Sequence, residues 1–280
     1  AETVLLRLLR GSHAAGLAAM APTRPAGRVR LVRPLLGLAA GGLRAVLRAA
    51  GQPWVEDPSN ATGSVRARLR AALADRAGEG AALRALAGVA LAAAVSRAAA
   101  AERRDRLLAE AVQLLPQGWA RIDVARLAVV DDTTAAAALA ALLRAIGGHA
   151  QPVRAARVTG LLALLRSGRA GSAAGCLIRP GRGAWVVCRE PAAVAGPALL
   201  PPEGRLCWDG RWHIKAPPGL AVGAVGPDAA ALARAAPHAR ALPRVVLATL
   251  PALWDGAALV AVPPIGYARD AIGGTIRAVF

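Results

Sequence analysis

Apolar positions recur at helical spacing from the start of the chain. In Glu2-Thr3-Val4-Leu5-Leu6-Arg7-Leu8-Leu9-Arg10, Leu5, Leu6 and Leu9 share one helix face, Arg7 and Arg10 lie opposite, and Gly11 ends the run. Residues 28–36, RVRLVRPLL, alternate base with aliphatic and close on a proline, which predicts a short strand leading into a turn. Helical spacing resumes from Leu38 to Ala50, with Gly51 as its stop. Ser64 is placed to cap a further helix that runs to about Arg76. Residues 81–115 are long and alanine-rich, broken only by Glu102-Arg103-Arg104-Asp105-Arg106, and read as two packed helices ended by Pro116-Gln117-Gly118. A strand follows at 119–124. Asp131-Asp132-Thr133-Thr134 then starts a helix that runs to Gly147-Gly148, with acids at the positive end of the helix dipole, and a shorter helix spans Val158 to Arg166.

From about residue 170 the period changes from helical to alternating. Cys176–Arg179 and Ala184–Cys188 flank Pro180-Gly181-Arg182-Gly183 as a hairpin. Arg205–Trp208 and Arg211–Ile214 flank Asp209-Gly210 as a second, and Trp254 to Val262 turn the same way at Asp255-Gly256.

Composition then narrows the class. The hydrophobic fraction is 55% but aromatics only 3%, so the core is expected to be helical and built of small side chains. The uncharged runs, such as Ala85 to Ser96 and Gly256 to Ala268, fall short of the roughly 18 residues of a membrane-crossing helix, which predicts a chain without a membrane span. The chain begins at Ala1 inside a helical pattern, with no secretory signal, and the expectation is that sequence upstream is missing and the location cytoplasmic. Cys176, Cys188 and Cys207 form no CxxC pair and are expected to be buried free thiols.

The net charge of +18 is carried almost wholly by arginine, Lys215 being the one lysine. Guanidinium offers a bidentate fork and stacks on bases, so the charge points to a polyanionic partner such as nucleic acid. Nothing else in the chain suggests chemistry unaided: SGGxDS, Walker and GxGxxG loops and HExxH are all absent, and the histidines have no metal-like spacing. Asp131-Asp132 read as a helix cap rather than a metal pair, and the tryptophans at 185, 208, 212 and 254 as core. The exception is Trp54-Val55-Glu56-Asp57-Pro58-Ser59-Asn60. Its acceptors precede Arg66, Arg68 and Arg70, of which Arg66 and Arg70 share a helix face while Arg68 points elsewhere. Acceptors beside guanidinium donors suit a polar, phosphate-bearing ligand.

Three blocks, in order, resemble the tRNA(Ile)-lysidine synthetases: Ala1 to Ser12 with Gly16 to Met20, against a family pattern DDQAETxLLRLLRGSGxxGLxxM; Arg33-Pro34-Leu35-Leu36; and Trp54 to Asn60 with its arginines. Cys176–Arg179 through Arg189-Glu190, and Val262 to Tyr267, look like the C-terminal region of some members. His13 departs from the pattern, and the link from Asn60 to Arg66 is a residue shorter.

The resemblance implies the fold class: an α/β remnant of an ATP-pyrophosphatase-type, Rossmann-like nucleotide-binding domain over 1–75, a mainly α segment over 76–168 and a small β-rich domain over 169–280. It implies an ATP-dependent carbon–nitrogen ligase that adenylates the wobble cytidine of a CAU-anticodon tRNA(Ile) at C2, after which the amine of L-lysine displaces AMP. ATP with Mg2+ is the implied co-substrate, although the ATP loop is not in these 280 residues, which should not catalyse alone. Glu2 is then expected near the lysine site, Arg7, Arg10 and Asp57 in the catalytic pocket, and Ser59, Asn60, Arg66, Arg68 and Arg70 on the face that meets nucleotide or tRNA. No resident metal is expected. The competing readings are a non-catalytic RNA-binding derivative of the fold and a related tRNA-thiolating ATP-pyrophosphatase, which would carry paired cysteines.

Overall fold

A computed structural model describes residues 2–11, 14–26, 29–55, 65–72, 80–149, 151–269 and 276–280. The chain separates into two compact units, residues 1–102 and 103–280.

In the first unit, α1 (Glu2–Leu9) is followed by α2 (Ala14–Leu17), the antiparallel pair β1 (Thr23–Ala26) and β2 (Val29–Val32), α3 (Ala40–Ala49) and α4 (Val65–Ala72). The expected helix, strand and turn are found, but the buried side of α1 is not the one the leucine spacing suggests. Val4 is fully buried, Leu5 and Leu6 are half-buried, and Leu9 is 70% exposed. Arg7 determines this geometry: its guanidinium turns back to donate to the carbonyls of Gly16 and, at 3.3 Å, Ala19, closing the α1–α2 turn. Ser64 lies outside the described residues.

The two packed helices expected over 81–115 are one, α5 (Ala81–Ala111). Glu102 to Arg106 do not interrupt it because Glu and Arg are good helix formers and no proline intervenes. Helix gives way at Val112 to β3 (Val112–Leu115), which is helix-compatible by composition but pairs with β4 (Trp119–Ile122) across the Pro116-Gln117-Gly118 turn. By length and composition α5 could also cross a membrane, a test that core helices pass as well; counting uncharged runs overlooks it because its arginines are scattered. Its Val89, Leu91 and Val95 are exposed.

The second unit holds two cores. After α6 (Val124–Ala128), α7 (Asp132–Gly147) begins with Asp131 accepting a hydrogen bond from the Thr134 amide at 2.9 Å, as a cap should. Its buried face, Ala135, Ala138, Leu139, Leu142, Leu143 and Ile146, keeps the 3, 4, 7 spacing of an amphipathic helix. It packs with Val158, Leu161, Leu162 and Leu165 of α8 (Ala155–Arg166) on one face of a sheet. That sheet has the order β3-β4-β7-β6-β5, with β5 (Gly171–Ala173), β6 (Cys176–Pro180) and β7 (Trp185–Arg189). Its strands come from both sides of residue 168, so the helical segment and the β-rich region share a sheet. The other core is formed by β8 (Ala198–Leu199), β9 (Arg205–Trp208), β10 (Trp212–Lys215), β11 (Ala221–Ala224), α9 (Ala229–Ala235), α10 (Pro237–Arg240), α11 (Arg244–Ala248), β12 (Pro251–Asp255), β13 (Ala258–Val262), β14 (Tyr267–Ala268) and β15 (Arg277–Val279). The strand orders here are β14-β13-β12-β11-β8 and β15-β10-β9. Trp208, Trp212, Leu247, Leu250 and Leu253 are at its centre.

All three expected hairpins form, the second with Arg211 as well as Asp209-Gly210 in its loop. That loop meets the end of α7 backbone to backbone. Gly148 has φ +67° and a Cβ there would sit 2.6 Å from the Asp209 carbonyl oxygen, while a Cβ on Gly210, φ +66°, would sit 2.7 Å from that of Gly148. Neither position admits a side chain, and the close approach joins the two cores.

Candidate functional site

The first-unit candidates divide by what is described. Helix α1 lies against α4, which puts the elements bearing Arg7 and Arg68 side by side, with Arg10 just past the end of α1. Arg10 and Arg68 are exposed, whereas Arg7 is occupied with the backbone carbonyls of Gly16 and Ala19. Glu2 is on the first turn of α1, and Arg66 and Arg70 are on α4; only their backbone is described. Asp57, Ser59 and Asn60 lie outside the described residues. Ahead of them, Arg48 of α3 sits over the Trp54 ring, 5.7 Å from its centroid. The Arg33 guanidinium donates to the Ala21 carbonyl at 2.9 Å, fastening the strand-to-turn segment of the RPLL block.

In the second unit the structure assembles charge that the sequence spacing did not show. Asp209, held at φ +53° in its turn, receives Nε and Nη2 of Arg189 at 3.0 and 2.8 Å, Nε of Arg211 at 2.8 Å and the Ala195 amide at 3.0 Å. Arg211 also donates to the Gly118 carbonyl at 3.0 Å, and Arg189 to that of Gly175 at 3.0 Å. All three side chains are buried. Burial pushes the Asp209 carboxyl up, but the hydrogen bonds from Arg189 and Arg211 prevail and hold it below the usual range. The cluster spans β7, the β9–β10 turn and the β3–β4 turn, and it fixes both cores together. A second group, Arg121, Arg179, Arg182, Arg240 and Arg244, surrounds a cavity lined by the β4, β7 and β6 strands of the same sheet.

Several candidates resolve into structure. Asp131 caps α7, and Asp132 pairs with Arg166 of α8. Cys176 and Cys188 are buried thiols pushed up to about 12 by that burial, while Cys207 is exposed, contrary to the expectation of three buried thiols. Trp208 and Trp212 are core as expected, and Trp185 and Trp254 half-buried. Among the described residues no three His, Cys, Asp or Glu side chains converge.

Residues 1–77 match the family model for the PP-loop domain. The chain is 38% identical over 287 aligned residues to the tRNA(Ile)-lysidine synthase of Ruegeria pomeroyi, covering 96% of this chain and 64% of that protein. It is 39% identical over 219 residues to that of Ralstonia nicotianae, covering 72% and 43% respectively. Against that of Bradyrhizobium sp. it is 52% identical over 91 residues, covering 32% and 25%. The chain therefore spans less than two thirds of the length of each of these relatives. The match to the Ruegeria protein nevertheless runs through both units, from the PP-loop region to the β-rich core, and over nearly its whole length the chain is similar to a tRNA(Ile)-lysidine synthase.

Proposed function

We propose that the protein of which this chain is part joins L-lysine to C2 of the wobble cytidine of a CAU-anticodon tRNA(Ile) at the expense of ATP. The observation that carries this reading is the 38% identity sustained over 96% of the chain with a tRNA(Ile)-lysidine synthase. In this reaction the C2 oxygen of cytidine attacks the α-phosphorus of ATP and pyrophosphate leaves. The lysine amine then attacks C2, and AMP departs with that oxygen.

The chain's own part is to bind and orient. Glu2 offers a carboxylate to the lysine ammonium, with Asp57 beside the reacting groups. Arg10 and the arginines of α4, Arg66, Arg68 and Arg70, counter phosphate charge, which grows more localised as adenylation proceeds. Arg7 keeps α1 and α2 in register, and Ser59 and Asn60 supply neutral hydrogen bonds. No step is assigned to Mg2+. The high arginine content supports an RNA substrate independently of the alignment.

The test joins to this chain the part of the Ruegeria relative that it does not span and follows labelled lysine into tRNA. ATP-dependent incorporation into CAU-anticodon tRNA, absent with a GAU anticodon, is expected. A folded chimera that incorporates none defeats the reading. Glu2→Gln in the active chimera should raise the KM for lysine by about tenfold or more, the worth of one charge-assisted contact.

A further inference from the structure

The strongest unassigned feature is a cavity of about 650 Å³ in the second unit, between the sheet and the α10–α11 corner. Its walls are set by register. On β7, Val186 pairs with Arg121 of β4 on one side and Arg179 of β6 on the other, so these two arginines flank it in one row on one face, about 10 Å apart. Arg182 stands in the β6–β7 loop, and Arg240 and Arg244 bracket Ala241-Leu242-Pro243 across the opening. All five arginines are exposed to solvent, and no carboxylate lines the cavity among the described residues.

Five like charges around one concavity repel one another, and a merely solvated basic face would normally disperse them or intersperse acids. The floor adds two features. It is apolar, with Trp119, Val186, Leu242 and Pro243 along it, and Arg121 covers the Trp119 ring at 5.7 Å.

We infer that this cavity is a binding site for a nucleoside phosphate. The arginines take the phosphate, while the apolar floor takes the base. The volume falls in the range of small-ligand pockets, and the mix of an apolar floor with a few charged donors is what a base joined to a phosphate requires. A bare anion would leave the floor unused. The ligand chemistry is shared by a free mononucleotide and by the unpaired end of an RNA strand. The inference rests on the cavity alone and does not depend on lysine transfer.

The test is calorimetric titration of the full chain with AMP, with a short 5′-phosphorylated single-stranded RNA and with inorganic phosphate. It is repeated on R182E/R244E and on R179A/R240A. These side chains are exposed, and unchanged circular dichroism melts verify that the variants fold. Saturable binding of AMP or of the RNA, weakened by about tenfold or more in both variants, is expected. Binding of AMP identifies a free nucleotide as ligand, and binding of the RNA alone identifies a strand end. The proposal is overturned if neither binds, if binding is unchanged in the variants, or if inorganic phosphate binds as tightly as AMP. Because the readout is binding, its failure leaves lysine incorporation by the chimera untouched, and the reverse also holds.

Discussion

Asp209 shows how much one residue can carry in a chain with 17 acids against 35 bases. It is the carboxylate between Arg189 and Arg211, and its loss leaves two buried cations facing each other. Asp209→Asn is expected to destabilise the second unit by about 3–5 kcal/mol, measured by urea unfolding. The pH dependence follows from its lowered folded pKa. The stabilisation is complete above the ordinary value of 3.8 and is lost as the pH falls below that toward the depressed value. Wild-type stability should therefore drop more steeply than that of Asp209→Asn on acidification below about pH 4. None of this cluster was legible as a site. Asp209-Gly210 announces a turn, but Arg189 is 20 residues away and Gly118 93 from Arg211, and only the folded sheet brings them together. The same is true of Arg121 and Arg179, joined only through Val186.

At the scale of elements, local chemistry was the better guide. Asp131 before Asp132-Thr133-Thr134 read as a cap, and the side chain holds the Thr134 amide as that reading requires. Asp131→Ala should cost about 1 kcal/mol, seen as a lower melting temperature. This is well below the cost of Asp209→Asn, because the cap is replaceable by water and the buried carboxylate is not. The hairpins were legible for the same local reason, their Gly-containing turns between alternating runs. The failures have a common cause too. Residues 102–106 looked like a break because charge was weighed above helix propensity, and Val112–Leu115 looked helical because strand pairing with β4 is a nonlocal contact. Leu9 shares a face with Leu5 and Leu6 by spacing, but an eight-residue helix buries only the face its neighbours reach, and here that face contains Val4.

For the molecule as a whole, the three sequence blocks, which end at the arginines of 66–70, and the arginine excess point to the same proteins that the chain resembles over 96% of its length. The candidate site was legible as residue types in order, because family motifs are local in sequence. Its side-chain arrangement was legible only in part, with Arg7 becoming a brace for the α1–α2 turn. The proposed lysidine formation belongs to the protein of which this chain is part. The most direct measurement is the mass of the wobble nucleoside, taken from CAU-anticodon tRNA after reaction with the chimera, ATP and lysine. The account predicts cytidine heavier by one lysine less water, and only when ATP is present. Unmodified cytidine from a folded chimera, or a nucleoside in which sulfur has replaced oxygen, would contradict it.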